Sequence, residues 1–173
     1  MKRIICILLA AMPLLAMAQG RTSVKLDEAG QLASKILEDD RFKITELKVS
    51  GPMNGADIKL MQQIVNRTKA KEKNGECLVK SVDLSEAIII EGKDGMKTKA
   101  NELPSGLFAG AKEIAMNSID LREVVLNCPT PPSISKSTFK DVAATFLIPA
   151  GSKPLYNNDK DWQKLPTKEK TTF

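Results

Sequence analysis

The chain has 173 residues, 42% of them hydrophobic and 4% aromatic, with 26 Lys and Arg against 21 Asp and Glu. That suits one globular domain and is too apolar for a disordered chain. There is no histidine, which excludes Ser-His-Asp and Cys-His nucleophiles and every imidazole-built zinc or iron site, so acid–base chemistry would fall on Asp, Glu, Lys, Cys or the single Tyr156.

Residues 1–18, MKRIICILLAAMPLLAMA, open on Lys2 and Arg3, continue apolar from Ile4 to Leu15 and end on the small-x-small pattern Ala16-Met17-Ala18. This is the plan of a cleavable export signal, too short to span a membrane comfortably. The expectation is an exported chain (secreted, periplasmic or cell-surface associated) that begins near Gln19 and has no transmembrane segment after cleavage. Losing Lys2 and Arg3 lowers the formal charge from +5 to +3, too mild an excess to point to nucleic acid, and export argues against it as well, so no nucleic-acid partner is expected. Residues 24–37 space Leu26, Ala29, Leu32, Ala33, Ile36 and Leu37 along one helical stripe and predict an N-terminal helix. RFKITELKVSG then reads as a strand ending at Gly51-Pro52. A short helix over 56–65 follows, with Ile58, Met61, Ile64 and Val65 on one side and Asn54 or Asp57 as its cap. Arg67, Lys69, Lys71 and Lys73, continued by Lys80, form a basic stretch that reads as a solvated loop. LVKSVDLSEAIIIEG, LREVVL and ATFLIP read as strands, and residues 151–173 as a polar tail carrying Tyr156 and Trp162.

Four segments share one register of apolar residues: Ile44-Leu47-Val49, Val79-Val82-Leu84, Leu121-Val124-Leu126 and Ala143-Phe146-Ile148. The last member advances by 35, then 42, then 22 residues. In a strand the last two apolar positions of each triplet face one side, so adjacent strands in this register would bury a shared core. On pattern alone, a leucine-rich-repeat solenoid and a compact α+β domain are both open. The same register sets Cys77 and Cys128 at different depths on neighbouring strands, which favours two free thiols, with a bridge as the other possibility.

Several segments taken together bear a family likeness: ITELKVSGPMNGADIKLMQQIV, LVKSVDLSEAIIIEG, LPSGLFAGAKEI with Phe108 as a core plug, and LREVVLNCPTPPSISKSTFKDVAATFLIPAGSKPLY with Phe139 as a second. Over residues 24–165 the chain resembles the BspA-like leucine-rich repeat proteins of bacterial cell surfaces. The resemblance implies an α/β fold, a short irregular leucine-rich-repeat solenoid with an N-terminal capping helix and a C-terminal cap. The organisation expected is a signal peptide over 1–18, a capping-helix region over 19–40, a repeat domain over 41–156, and a cap with a polar tail over 157–173.

The resemblance also implies binding and not catalysis. The residues agree: no phosphate-cradling glycine loop is present, Asp39-Asp40 sits between elements, and Asp57, Asp159 and Asp161 lack calcium-loop spacing. No cofactor and no metal are expected. Alternation points Lys48, Asp83, Val125 and Leu147 outward, flanked by Glu123 and Thr145, and this face is the expected contact surface for another protein, centred on Val125 and Leu147. The function expected is an adhesion or interaction module at the surface or in the envelope. The alternatives are a structural or accessory subunit of an envelope assembly and, further off, a small exported inhibitor or hydrolase.

Overall fold

The structure, a computed structural model, describes residues 20–41, 43–66, 79–108, 121–135, 137–139 and 142–171. The signal segment 1–18, the basic residues Arg67, Lys69, Lys71 and Lys73, and Cys77 lie outside them. Six strands form one open sheet in chain order, and every neighbouring pair is parallel. They are β1 (Arg21–Lys25), β2 (Glu46–Met53), β3 (Ser81–Ile89), β4 (Glu123–Val125), β5 (Thr145–Pro149) and β6 (Thr167–Lys170). Helix α1 (Leu32–Lys35) and a 3-10 turn (Glu38–Asp40) follow β1, α2 (Gly55–Asn66) follows β2, and α3 (Lys153–Asn158) follows β5.

Alternation along the strands decides which face is dry. Thr22, Leu47, Val82, Val124 and Phe146 lie in one row across the sheet and all are buried. Helix α2 adds Ile58, Met61, Ile64 and Val65 to the same cluster, α1 adds Leu32 and α3 adds Tyr156. The helices therefore pack on the inward face, and the core is the layer between them and the sheet.

This architecture corrects the expected solenoid. What forms among the described residues is a single parallel sheet of the α/β class with few helices and no repeating unit. Strand length runs from 3 residues in β4 to 9 in β3. One connection carries a 12-residue helix, while among the described residues those from β3 to β4 and from β4 to β5 carry none. The apolar triplets report only the parity and burial of a strand, which any parallel sheet with one dry face would impose. They carry no information on whether the connections are alike. The fourth triplet also needs correction at its first position, since Ala144 is buried and Ala143 exposed.

Both ends depart from expectation as well. In place of an N-terminal capping helix over 24–37, Arg21–Lys25 forms an edge strand with strictly alternating burial. The helix that follows has only 4 residues. Ala33, placed on the helical stripe, is exposed. Period two won over period 3.6 because Thr22, Val24 and Leu26 are all buried, and Gly30 turns the chain at φ +93°. At the other end the tail is not merely polar, because Thr167–Lys170 completes the sheet against β5.

Two local features shape the sheet. Strand β2 does not stop at Gly51-Pro52 but runs through them to Met53. Gly51 has φ +90°, and a Cβ there would lie 2.1 Å from the Leu26 carbonyl oxygen, so the close approach of Leu26, just after β1, to β2 requires glycine. Between β2 and β3 the register then slips: Lys48 faces Asp83, but Ser50 faces Glu86. The extra residue on β3 is a bulge, and it carries Glu86 and Ile88 onto the outward face beyond it.

Candidate functional site

The outward face is built from rows of side chains, each row crossing the sheet. One row reads Ser23, Lys48, Asp83, Val125, Leu147 and Lys168. The row beside it reads Arg21, Glu46, Ser81, Glu123 and Thr145. Neighbouring strands in a sheet stand about 4.8 Å apart, so each row is a continuous line of contacts. All six residues expected to form a contact surface, Lys48, Asp83, Glu123, Val125, Thr145 and Leu147, therefore share this face in adjacent positions.

Their exposure differs from the expectation at the centre. Val125 is only 3% exposed, yet it stands outside the core cluster. It is buried on the outward side, between Asp83 and Leu147 in its row. Lys48, Asp83, Glu123, Thr145 and Leu147 are half-buried. Val125 is thus a dry floor and not an exposed anchor, and Leu147 is the apolar side chain that reaches the surface. The large exposed apolar group on this face is Ile88, at 63%, opposite Pro52 beyond the bulge. No alternation rule points to it, because the bulge changes the parity of β3 after Asp83.

Charges on the face are partly matched. Arg21 Nε lies 3.0 Å from Glu46 Oε2, and Lys48 is ion-paired with Glu86. Lys48 is held protonated above the ordinary lysine range, chiefly by its hydrogen bond to Glu86. Partial burial opposes this, while the charges of Asp83 and Glu86 reinforce it. Asp83 uses one carboxylate oxygen to accept the Ser85 backbone N–H at 2.9 Å. Glu86 and Lys168 belong to the face but were not legible beforehand: the first depends on the bulge, the second on a strand whose sequence is polar throughout.

The expected free thiol at Cys128 is half-buried and unbridged, and burial pushes its pKa up. A cleft of about 550 Å³ is lined by Lys153, Pro154, Asn157, Asn158 and Glu169 around Gly151. Its side chains are mostly exposed. Among the described residues no group of three or more Cys, Asp and Glu is placed to hold a metal ion, and no helix is long and apolar enough to cross a membrane. Compared with protein-family models and with curated proteins, the chain matches none.

Proposed function

We propose that this is an exported, non-catalytic protein that binds another protein through the outward face of its sheet. The observation that supports the reading is the row Lys48–Asp83–Val125–Leu147. It joins a dry apolar floor to half-buried charged and apolar side chains on a face that, among the described residues, carries none of the helices packed into the core. A rigid sheet holding such groups loses little conformational entropy when it meets a partner. The export-signal pattern of residues 1–18 supports a partner outside the cytoplasm.

The test is a photo-reactive amino acid at position 147 of the full chain, expressed in the cells that make it. The expected result is a covalent adduct with a protein, and no such adduct from Lys59, which is exposed on α2. An absence of adducts at 147, or the same adducts from both positions, would overturn the reading. A partner that co-purifies in fixed stoichiometry would mark the chain as a subunit of an assembly, whereas reversible capture would mark an interaction module. The recovered protein is expected to begin near Gln19, as mass spectrometry of the intact chain would read.

A further inference from the structure

We infer that the partner presents a basic side chain to Asp83 and Glu123 and an apolar one to Leu147. The inference rests on the outward face being the binding surface and adds the chemistry of what it binds. Near β1 and β2 the charges are already neutralised, because Arg21 is paired with Glu46 and Lys48 with Glu86. Asp83 and Glu123 are different. They occupy adjacent strands on the same face, Glu123 facing Ser81 and Asp83 facing Val125. This diagonal places them within reach of a single long side chain. Among the described residues neither has an ion-pair partner: Lys48, beside Asp83 in its row, feels the Asp83 charge but makes its ion pair with Glu86. Both are half-buried, and they border Val125, which is dry. Charges at such a border are screened less than charges in open water. On the far side of Val125, in the next strand, stands Leu147. The surface is therefore acidic on β3 and β4 and apolar at Leu147 on β5, two strand spacings from Asp83 and one from Glu123, before Lys168 on β6, and a Lys or Arg followed by a Leu-like residue complements its acidic and apolar part.

The global charge argues the other way, which makes the test a strict one. The chain carries a formal +5, and +3 without residues 1–18, so non-specific attraction favours acidic ligands. Two fluorescein-labelled peptides of equal length, one alternating Lys with Leu and one alternating Glu with Leu, would be titrated into the mature chain and read by anisotropy. The Lys/Leu peptide is expected to bind more tightly by about five- to tenfold, and to weaken as salt is raised. The double variant Asp83→Asn, Glu123→Gln should remove that preference, while Asn still offers an oxygen to the Ser85 N–H. Leu147→Ser should weaken both peptides alike. Equal binding of the two peptides, or a Lys/Leu preference that survives the double variant, would overturn the inference. Adducts that persist at position 147 while the peptides bind equally would leave the binding face standing and remove only the basic partner.

Discussion

Asp57 accepts from the backbone N–H groups of Gly30, Leu32 and Asn54 at 2.6, 2.9 and 3.0 Å, and it is buried. Asn54 returns the favour to the N–H groups of Ala56 and Asp57, closing a reciprocal cap on α2. Both residues can be read as cap candidates from sequence, since Asx side chains ahead of an apolar stripe carry that signal. The grip of Asp57 on Gly30 and Leu32 cannot, because those partners lie 27 and 25 residues away. Asp57→Ala would strand three donors, two of them buried, and should cost on the order of 2–4 kcal/mol in urea unfolding. Tyr156 is a second such residue. Its hydroxyl donates to the Cys128 carbonyl at 2.9 Å, and burial, with a smaller contribution from the neighbouring Cys128, pushes its pKa well above 10.0. An acid whose pKa is raised by folding adds stability that is complete below its unfolded value and is lost as pH rises toward the folded one. Cys128 is shifted in the same direction from 9.0. Unfolding midpoints should hold steady up to about pH 9 and fall above it. Tyr156→Phe should remove much of the fall above about pH 10 while costing about 1 kcal/mol at neutrality from the lost hydrogen bond.

At the scale of elements, the interior strands follow from their apolar spacing and the edge strands do not. Leu47, Val82, Val124 and Phe146 had to face one way whatever joined them, so β2 to β5 were legible. β1 was hidden because RTSVKLDEAG carries enough apolar spacing to satisfy a helix, and the distant carboxylate of Asp57 that ends that option is not a local signal. β6 was hidden because Thr-Lys-Glu-Lys has no apolar alternation to reveal. It is held instead by pairing with β5, including the Phe146 N–H to the Pro166 carbonyl at 2.8 Å. The aromatic plugs were legible, and what joins them is a chain of rings. Phe108 stacks on Phe139, which packs against Phe146 and Trp162, and Trp162 meets Tyr156 edge-on. The Trp162 indole N–H also reaches the Pro132 carbonyl at 2.7 Å. Phe139→Ala should therefore cost about 3–5 kcal/mol. The emission of Trp162, the single tryptophan, should shift to the red in the same variant. Gly51→Ala should cost about 2–4 kcal/mol, since it adds a left-handed backbone penalty to a collision with the Leu26 carbonyl. A denaturation midpoint within error of the parent would refute the tight passage there.

For the molecule as a whole, the sheet's two borders are β1 and β6, each with one strand neighbour. Exposed Lys25 guards the first and exposed Lys168 the second. Like charges at both borders oppose the head-to-tail pairing that an open parallel sheet otherwise invites. Lys25→Val combined with Lys168→Val should promote self-association, seen as a concentration-dependent rise in sedimentation coefficient that the parent chain does not show.

The order of the strands has a further meaning for how such a chain comes to be folded. Each strand lies beside the one made just before it, so no early segment waits for a late one to be slotted between its neighbours. A polypeptide threaded end-first through a narrow channel could lay down its sheet as it emerges, each new strand finding its template already in place. The last strand laid, with the tryptophan just ahead of it, would then close the row and seal its greasy end.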